Sequence, residues 1–321
     1  MNFSFTPEQQ DLRREARALL AERYPAERVA ELADSEEGWD PASWHELAEL
    51  GWLGVSVPEE HGGAGLGFVE EAVLFEELGR ALYPGPYFAT VALVLSALPP
   101  ELQAEVARGE ARWSAALDGE LAPDLASVER ILTARDGQLY AVPAEGQMVA
   151  TTDGTRRLGR LAAITGGEPV ASADALAQIR LRALAALACE AVGIATRALE
   201  LSVDYAKTRE QFGRPIGVYQ AVSHGLADAY VETELARSLA YWAAWSVAEN
   251  AENAPLAVAA AKAYACDAAV SVCERAIQTH GGIGFTWEHV LHRLYKRAQW
   301  NQAYEGFAPA HRAQIAAALL N

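Results

Sequence analysis

Apolar residues recur every three or four positions through a long stretch in the C-terminal half of the chain. They are Leu184, Leu187, Ala188, Ala191, Val192, Ala195, Leu199 and Val203. This spacing places them on one face of an α-helix that begins near Asp174 and ends near Tyr205. Further helical patterns cover about 218–249, about 255–279 and the stretch after Phe285, with short connections between them. The sequence therefore predicts an up-and-down bundle of four long helices.

Two different patterns precede this bundle. Residues 1–104 have a helical pattern, in which Thr6 and Gln9 are placed to form a capping box at the first helix. Residues 105–175 hold short strand candidates between turn signals. The predicted fold is therefore mainly α, with an N-terminal helical domain (1–104), a small, shortened middle β-domain (105–175) and a C-terminal four-helix bundle (176–321).

The charge and cysteine content narrow the class of protein. The formal net charge of −17 at pH 7 argues against a nucleic-acid partner, because phosphate binding needs a basic face. The sequence shows no signal-peptide pattern, and we expect no membrane span. Cys189, Cys266 and Cys273 fall in helices rich in Ala and Val, so buried free thiols are expected rather than disulfides. Together these features predict a soluble cytoplasmic protein.

The run 209–217 follows the first bundle helix and has the composition of a ligand-binding segment. It offers a cation in Arg209, an amide in Gln211, a planar apolar side chain in Phe212 and a glycine at Gly213. A guanidinium group can hold a diphosphate through parallel hydrogen bonds, and glycine lets a ligand approach the backbone closely. The run therefore predicts a site for a diphosphate carrying flat rings.

Three further segments extend this pattern: 49–79, 278–284 and 300–306. With the Arg209 run, these segments resemble the acyl-CoA dehydrogenase family, and the resemblance covers nearly the whole chain. It implies an FAD-dependent oxidoreductase that introduces a trans-2,3 double bond into an acyl-CoA. It also implies an electron-transfer flavoprotein as electron acceptor and a homo- or heterotetrameric assembly.

The resemblance also assigns FAD contacts to individual residues. Arg209 and Phe212 match the residues that grip the ADP half of an FAD bound mainly to a neighbouring subunit. Gly281 and Gly282 match a second contact, where bare backbone N–H groups face the cofactor. The plainer alternatives are a surface ion pair for Arg209, core packing for Phe212 and a helix-ending turn for the two glycines. The full set of candidate FAD contacts is Arg209, Gln211, Phe212, Gly213, Gln220, Gln278, Gly281 and Gly282.

Glu305 is the catalytic candidate. The segment that contains it resembles the family segment whose glutamate removes the pro-R α-proton of the thioester, while hydride leaves Cβ for flavin N5. Tyr304, Phe307 and Ala308 provide apolar neighbours, and desolvation by such groups makes a carboxylate a stronger base. The alternative is an exposed glutamate at a helix end.

The chain also departs from the family pattern. Residues 105–175 contain neither the Thr-Glu-x-x-x-Gly-Ser-Asp stretch nor the Trp-x-Thr-Asn stretch, which contact the isoalloxazine and ribityl groups in many members. The substrate-facing Arg of many members is replaced by Leu184, and the second known position of the base is occupied by Ala183. These losses resemble the short subunits of heterotetrameric members. A non-catalytic subunit that completes a full-length partner's flavin site is therefore the alternative function.

Two features of the last helical segment have plainer interpretations. His289 and His292 lie three residues apart, which is not the His-Glu-x-x-His arrangement of zinc enzymes, so no metal site is expected. Arg293, Lys296 and Arg297 form a basic helical face that could meet CoA phosphates. An ordinary solvated face is the favoured interpretation.

Overall fold

Helices occupy both ends of the chain and strands its middle. The computed structural model describes residues 5–117, 119–162 and 166–320. The helical unit takes its described residues from Met1–Ala26, Phe75–Tyr83 and Leu187–Asn321, and the strand-containing unit takes its residues from Glu27–Leu74 and Pro84–Ala186. The order of elements confirms the predicted fold class, whereas the division into three domains stays a prediction.

Ten α-helices are found in the described part of the chain. They are α1 (Pro7–Arg23), α2 (Ala26–Asp34), α3 (Ala42–Glu49), α4 (Phe68–Ala81), α5 (Pro100–Ala107), α6 (Ala175–Thr208), α7 (Gln220–Ala248), α8 (Ala254–His280), α9 (Leu291–Ala303) and α10 (Ala308–Leu320). Short 3-10 or π turns lie between several of them.

The strands form two small sheets and one hairpin. They are β1 (Trp113–Ala116), β2 (Leu121–Pro123), β3 (Arg130–Arg135), β4 (Gln138–Pro143), β5 (Gly146–Val149), β6 (Leu158–Leu161), β7 (Glu168–Ser172), β8 (Glu210–Gln211) and β9 (Arg214–Pro215). The sheet orders in the described residues are β1-β3-β4-β7 and β2-β6-β5, and β8 pairs with β9. β1 and β3 are parallel, and the other pairs are antiparallel. Ile131, Val142 and Leu161 are among the buried residues of the strand region.

Local sequence signals account for several helix boundaries. The capping box at α1 is confirmed, because the Thr6 hydroxyl accepts from the Gln9 amide at 3.2 Å and the Gln9 side chain accepts from the Thr6 amide at 3.0 Å. The predicted bundle helices correspond to α6, α7 and α8 within a few residues. The predicted fourth helix is interrupted, because α9 ends at Ala303 and α10 begins only at Ala308.

Small residues allow α4 and α6 to pack closely within the helical unit. A Cβ atom at Gly193 would lie 1.9 Å from the carbonyl oxygen of Glu76, and one at Gly79 would lie 2.4 Å from the carbonyl oxygen of Glu190. Since real Cβ atoms do not approach backbone that closely, both positions require glycine. α8 contacts α7, α9 and α10, and is therefore the central helix of this unit.

Two buried acidic groups are neutralised by arginines inside the helical unit. Glu76 bonds Arg13 at 2.6 Å, also pairs with Arg237 and accepts a hydrogen bond from Tyr241 at 2.7 Å. Glu77 bonds Arg17 at 2.7 Å and is also fully buried. Burial raises the pKa of the Tyr241 phenol, so that it donates to the carboxylate as a neutral group. The network links α1, α4 and α7.

A second buried pair corrects the interpretation of the basic face on α9. Arg297 is completely buried and donates to Glu190 at 2.6 Å, and Asn301 donates to the other oxygen of Glu190 at 3.2 Å. Arg293 is also buried, while Lys296 lies 3.9 Å from the centre of the Trp287 ring. The expectation of a solvated face is therefore wrong. These groups fix α9 against α6 because a buried guanidinium group requires its partners.

The length and apolar character of α8 bear on whether the chain could contain a membrane span. The stretch Ala254–Phe285 is long and apolar enough to cross a membrane, contrary to the expectation from the sequence. However, 67% of its most apolar 18-residue stretch is buried inside the fold, and a buried core helix can be as long and apolar as a membrane span. Cys266 and Cys273 on this helix are buried and free, as is Cys189, which confirms their predicted state. The cytoplasmic location stays a prediction.

We predict that Glu190→Gln lowers the free energy of unfolding by about 3–5 kcal/mol, because the variant leaves the Arg297 guanidinium group buried without a carboxylate. Urea titration followed by circular dichroism measures this loss. The matched control is Asp11→Asn, which removes the exposed pair with Arg14 and should change the free energy by less than about 0.5 kcal/mol. Equal, small losses in both variants would contradict the proposed anchoring role.

Candidate functional site

Within the predicted ligand-binding run 209–217, residues 209–215 form a β-hairpin with a two-residue loop directly after α6. β8 and β9 pair antiparallel, with Gln211 opposite Arg214. The two central residues have positive φ angles, +54° at Phe212 and +77° at Gly213. A hairpin with both central residues at positive φ has the geometry of a type I′ turn, which matches the twist of the flanking strands. The sequence pattern alone did not indicate this hairpin.

Phe212 is an unfavourable choice for that turn. Type I′ turns prefer Asn, Asp or Gly, and the β3–β4 hairpin of this chain follows the rule with Asp136 and Gly137 at φ +50° and +76°. A phenylalanine in this conformation costs about 1–2 kcal/mol. Phe212 is also 93% exposed and meets the Tyr219 ring edge-on with 6.3 Å between ring centres, so it gains little packing in return, and core packing is excluded. An exposed aromatic side chain in a strained conformation is a reason to test a binding role.

The residues behind the hairpin hold it in place. The Tyr219 hydroxyl donates to the Gln211 carbonyl at 3.0 Å, and the Arg214 guanidinium group lies 4.5 Å from the centre of the Tyr219 ring. The Ile216 amide donates to the carbonyl of Arg209 at 2.8 Å. The exposed Gln220 is the first residue of α7, directly after this support.

The second predicted segment, at the end of α8, lies beside the hairpin. The His280 ring stacks on the ring of Tyr205, with 4.3 Å between ring centres. Tyr205 lies four residues before Arg209. His280 donates through Nδ1 to the Ala276 carbonyl at 2.8 Å, and burial lowers its pKa below the ordinary value. The imidazole is therefore neutral near pH 7. The stack brings Gly281, and with it the end of α8, to the same end of the bundle as the hairpin.

The glycines at this end leave open space. Gly281 has φ +63° and ψ −137°, a conformation that residues with side chains rarely adopt. A Cβ atom at Gly213, Gly281 or Gly282 would meet no atom within 4 Å. The neighbouring exposed groups, the Arg209 guanidinium and the Gln278 amide, are donors suited to phosphate oxygens. With the exposed ring of Phe212, this donor set fits the ADP half of FAD.

Glu305 lies in the interruption between α9 and α10. Its φ angle is +57°, and that of Gly306 is +99°. Glu305 is half-buried, which argues against the alternative of a fully exposed helix-end glutamate. Trp300 on α9 stacks on Tyr304, the first residue after that helix, with ring centres 4.8 Å apart and planes 12° from parallel. Of the predicted apolar neighbours, Ala308 is buried and Phe307 is 55% exposed.

A buried lysine that the sequence analysis did not select contacts this turn. Lys262 on α8 is 1% exposed, and its Nζ donates to the carbonyl oxygens of Gln302 at 3.1 Å and Gly306 at 3.3 Å. His311 on α10 also bonds the Gly306 carbonyl through Nε2 at 3.1 Å. Burial, with the nearby Lys262 charge, lowers the pKa of His311. The available sequence signal for Lys262 was a charged residue within the Ala-rich and Val-rich first half of α8.

The base candidate and the FAD-contact candidates lie near different points along the length of α8. Lys262, which contacts the Glu305 turn, precedes Gln278 by sixteen residues, or roughly 24 Å along the helix at 1.5 Å per residue. The structure therefore brings the hairpin and the Gly281 segment together but does not bring Glu305 beside them. This separation agrees with the resemblance, in which the FAD contacts of one subunit serve a neighbour's cofactor.

Two of the positions that differ from the family pattern are buried. Ala183 and Leu184 are buried on α6, and Ala183 has no group that could act as a base. Directly before Ala183, Arg182 donates to the fully buried Glu71 at 2.6 Å. Burial raises the pKa of Glu71, and Arg182 opposes that shift. Both groups lie in the strand-containing unit, where this pair is a structural ion pair.

Comparisons with known proteins agree with these observations. The family model "Acyl-CoA dehydrogenase, N-terminal domain" matches residues 6–100, and "Acyl-CoA dehydrogenase, C-terminal domain" matches residues 175–320. The protein named acyl-CoA dehydrogenase IpdE2 from Mycobacterium tuberculosis is 38% identical over 303 residues, which cover 91% of each chain. Its namesake from Mycolicibacterium smegmatis is 35% identical, covering 91% of this chain and 92% of its own.

Solved structures give the same result. A chain of the ChsE4–ChsE5 complex from Mycobacterium tuberculosis superposes with a TM-score of 0.91 at 27% identity, covering 100% of this chain and 99% of its own. A variant of the steroid ACAD Tcur3481–Tcur3483 superposes with a TM-score of 0.88 at 29% identity, covering 98% of both chains. Butyryl-CoA dehydrogenase from Megasphaera elsdenii has a TM-score of 0.86 at 22% identity, over 100% of both chains, and shows the shared fold alone.

We predict that Phe212→Asn weakens FAD binding without destabilising the fold. Asparagine tolerates the left-handed conformation, so the thermal midpoint should stay or rise, whereas loss of ring stacking should weaken binding by about 1–3 kcal/mol. Thermal unfolding and FAD titration by fluorescence measure the two effects. Phe212→Tyr, the matched control, keeps a flat ring and should keep the affinity. Unchanged affinity in Phe212→Asn would show that Phe212 does not contact the cofactor.

Proposed function

Because this chain belongs to the acyl-CoA dehydrogenase family, we propose that it converts an acyl-CoA thioester into the trans-2-enoyl-CoA, with Glu305 as the base. The half-buried, left-handed turn that presents Glu305 is the observation that carries the proposal. Family membership also supports FAD as cofactor, and FAD when bound supplies the acceptor for the hydride that leaves Cβ. The remaining tasks belong to the side chains of the protein.

The first task is to take a weakly acidic proton from the α-carbon. A carboxylate at Glu305 can accept that proton if the substrate carbon lies within hydrogen-bonding reach of its oxygens. The stacked rings of Trp300 and Tyr304 provide a flat apolar surface directly before the base. Such a surface excludes water, and an excluded carboxylate is a stronger base than a hydrated one. We propose that the thioester end of the acyl chain lies against this surface.

The second task is to hold the cofactor. We propose that Arg209 and Gln278 donate to the diphosphate, that the backbone N–H groups of Gly281 and Gly282 approach it closely, and that Phe212 lies on a flat ring. Gln278 lies roughly 24 Å along α8 from Lys262, which contacts the Glu305 turn, and this separation supports a cofactor contact away from Glu305 of the same chain. We therefore propose that each FAD is shared between two subunits of a homo- or heterotetramer. As the resemblance implies, an electron-transfer flavoprotein would accept the electrons.

The second candidate function is a non-catalytic subunit that completes a partner's flavin site. Residues 105–175 lack both family stretches that contact the isoalloxazine and ribityl groups, and this observation favours the subunit role. The match to a chain of the two-protein ChsE4–ChsE5 complex is consistent with it. In this role the hairpin 209–215 and the Gly281 segment would serve a flavin held by a full-length partner. Glu305 would then have no catalytic task.

The visible spectrum of the purified chain, titrated anaerobically with acyl-CoA thioesters, tests the proposed dehydrogenation. We expect a yellow protein that bleaches when butyryl-CoA or a thioester of a bulky ring-bearing acid is added. Glu305→Gln should bind flavin equally well but bleach at least about 10³-fold more slowly, because the amide cannot accept the proton. Glu249→Gln, a change at the exposed end of α7, is the matched control and should bleach normally.

The outcomes separate the two candidate functions. A colourless protein that becomes yellow and active only with a full-length partner, and remains active in that complex when Glu305 is replaced, would establish the subunit role. Loss of activity in the same complex on Glu305→Gln would instead keep the catalytic role and show that the flavin is shared. If the Glu305→Gln variant bleaches at the normal rate without a partner protein, Glu305 is not the base.

A further inference from the structure

Lys262 is a buried cation whose hydrogen bonds lead to the backbone on both sides of Glu305. Its ammonium group bonds the Gln302 carbonyl, three residues before Glu305, and the Gly306 carbonyl, one residue after it. The side chain is 1% exposed. An ammonium group is removed from water at a large cost unless its hydrogen bonds are replaced. The two carbonyls provide that replacement.

The carbonyl of Gln302 needs such a donor. In a continuing helix it would accept from the Gly306 amide, but that amide bonds the Ala303 carbonyl at 3.1 Å instead. The last carbonyls of a helix also carry the negative end of its dipole, so a cation is favourable there. Lys262 therefore caps the C-terminal end of α9 at the point where the chain leaves the helix.

The turn that follows is strained. Glu305 has φ +57°, a conformation that costs a residue with a side chain about 1–2 kcal/mol relative to its favoured regions. The surroundings must hold such a residue in place. The Gly306 carbonyl is held from two sides, by Lys262 on α8 and by His311 on α10. Asp267, five residues after Lys262, accepts from the Gln302 side chain at 2.8 Å and fixes the same helix end.

We propose that Lys262 is a positioning residue for the base: its ammonium group, by bonding the carbonyls of Gln302 and Gly306, fixes the left-handed turn that presents Glu305. The inference rests on the proposed dehydrogenation, in which Glu305 takes the α-proton. Lys262 itself lies in the interior of the helical unit and acts through the backbone. A shift of about 1 Å in a catalytic group can lower a rate about 100-fold, so a missing cap should have a large kinetic effect.

The test compares Lys262→Met with Lys262→Arg in the flavin-loaded protein, or in the complex with its partner if flavin binding requires one. Methionine fills similar space without a donor, whereas arginine keeps a cation that can reach the carbonyls. We expect Lys262→Met to lower kcat about 100-fold with little change in KM, because substrate binding is retained. Lys262→Arg should recover part of the loss. Hydrogen–deuterium exchange should rise at residues 304–307 in Lys262→Met.

Val272→Ala is the control for a general loss of stability. Val272 is buried on the same helix, ten residues or roughly 15 Å beyond Lys262. It should lower the thermal midpoint while leaving kcat and the exchange of residues 304–307 unchanged. An equal loss of kcat in Val272→Ala would show that stability, and not the position of the turn, explains the effect, and would overturn the inference.

The remaining outcomes separate this inference from the proposed function. If the wild type bleaches with an acyl-CoA and Lys262→Met bleaches as fast, the inference fails and the proposed function stands. If none of the acyl-CoAs bleaches the wild type, whether the chain is alone or with a partner, the proposed function fails and the catalytic role of Lys262 fails with it. In either case, unchanged exchange at residues 304–307 in Lys262→Met would show that Lys262 does not hold the turn.

Discussion

The ion pair between Glu190 and Arg297 determines where the catalytic candidate lies. Both groups are almost fully buried, and the pair joins α6 to α9 at 2.6 Å. Removing two charges from water costs several kcal/mol for each ion, so the pair persists only where its geometry and its further hydrogen bonds are favourable. Asn301 provides one of those bonds, one turn after Arg297. The pair therefore fixes the position and rotation of α9 on α6, and the chain reaches Glu305 four residues after Asn301.

Two of the predicted functional segments contain the same backbone irregularity. Phe212-Gly213 and Glu305-Gly306 are consecutive pairs in left-handed conformations, and in each pair the first residue has a side chain that this conformation disfavours. Asp136-Gly137, which joins β3 and β4, adopts the same type of pair with a residue suited to it. Leu82, which is buried and lies outside these segments, also has a positive φ angle of +53°. Strain of this kind therefore draws attention to Phe212 and Glu305 but does not by itself assign a binding or chemical task to either residue.

Local signals in the sequence predicted much of the fold but little of its ionic interior. Helical periodicity and caps depend on residues close in sequence. The helices α6, α7 and α8 and the capping box at Thr6 could therefore be predicted from the sequence. The break between α9 and α10 was missed, although Gly306 followed by Pro309 is a usual sign of one helix ending and another beginning. Glu190 and Arg297 are 107 residues apart, and Lys262 is 40 residues from Gln302. No periodic pattern joins residues at such distances, and charged side chains on helices were therefore assigned to solvated faces. The FAD-contact candidates were predicted from the resemblance to the family together with their residue types, whereas the strain at Phe212 required the backbone angles.

The central claim is that the fold presents the Glu305 carboxylate to the α-carbon of an acyl-CoA. Exchange of the α-protons of a bound acyl-CoA with D2O, measured by mass spectrometry under anaerobic conditions without an electron acceptor, tests proton abstraction most directly. The account predicts that the flavin-loaded wild type incorporates deuterium at the α-carbon and that Glu305→Gln does not. Equal incorporation by both proteins, or none by a wild type that binds the thioester, would contradict it.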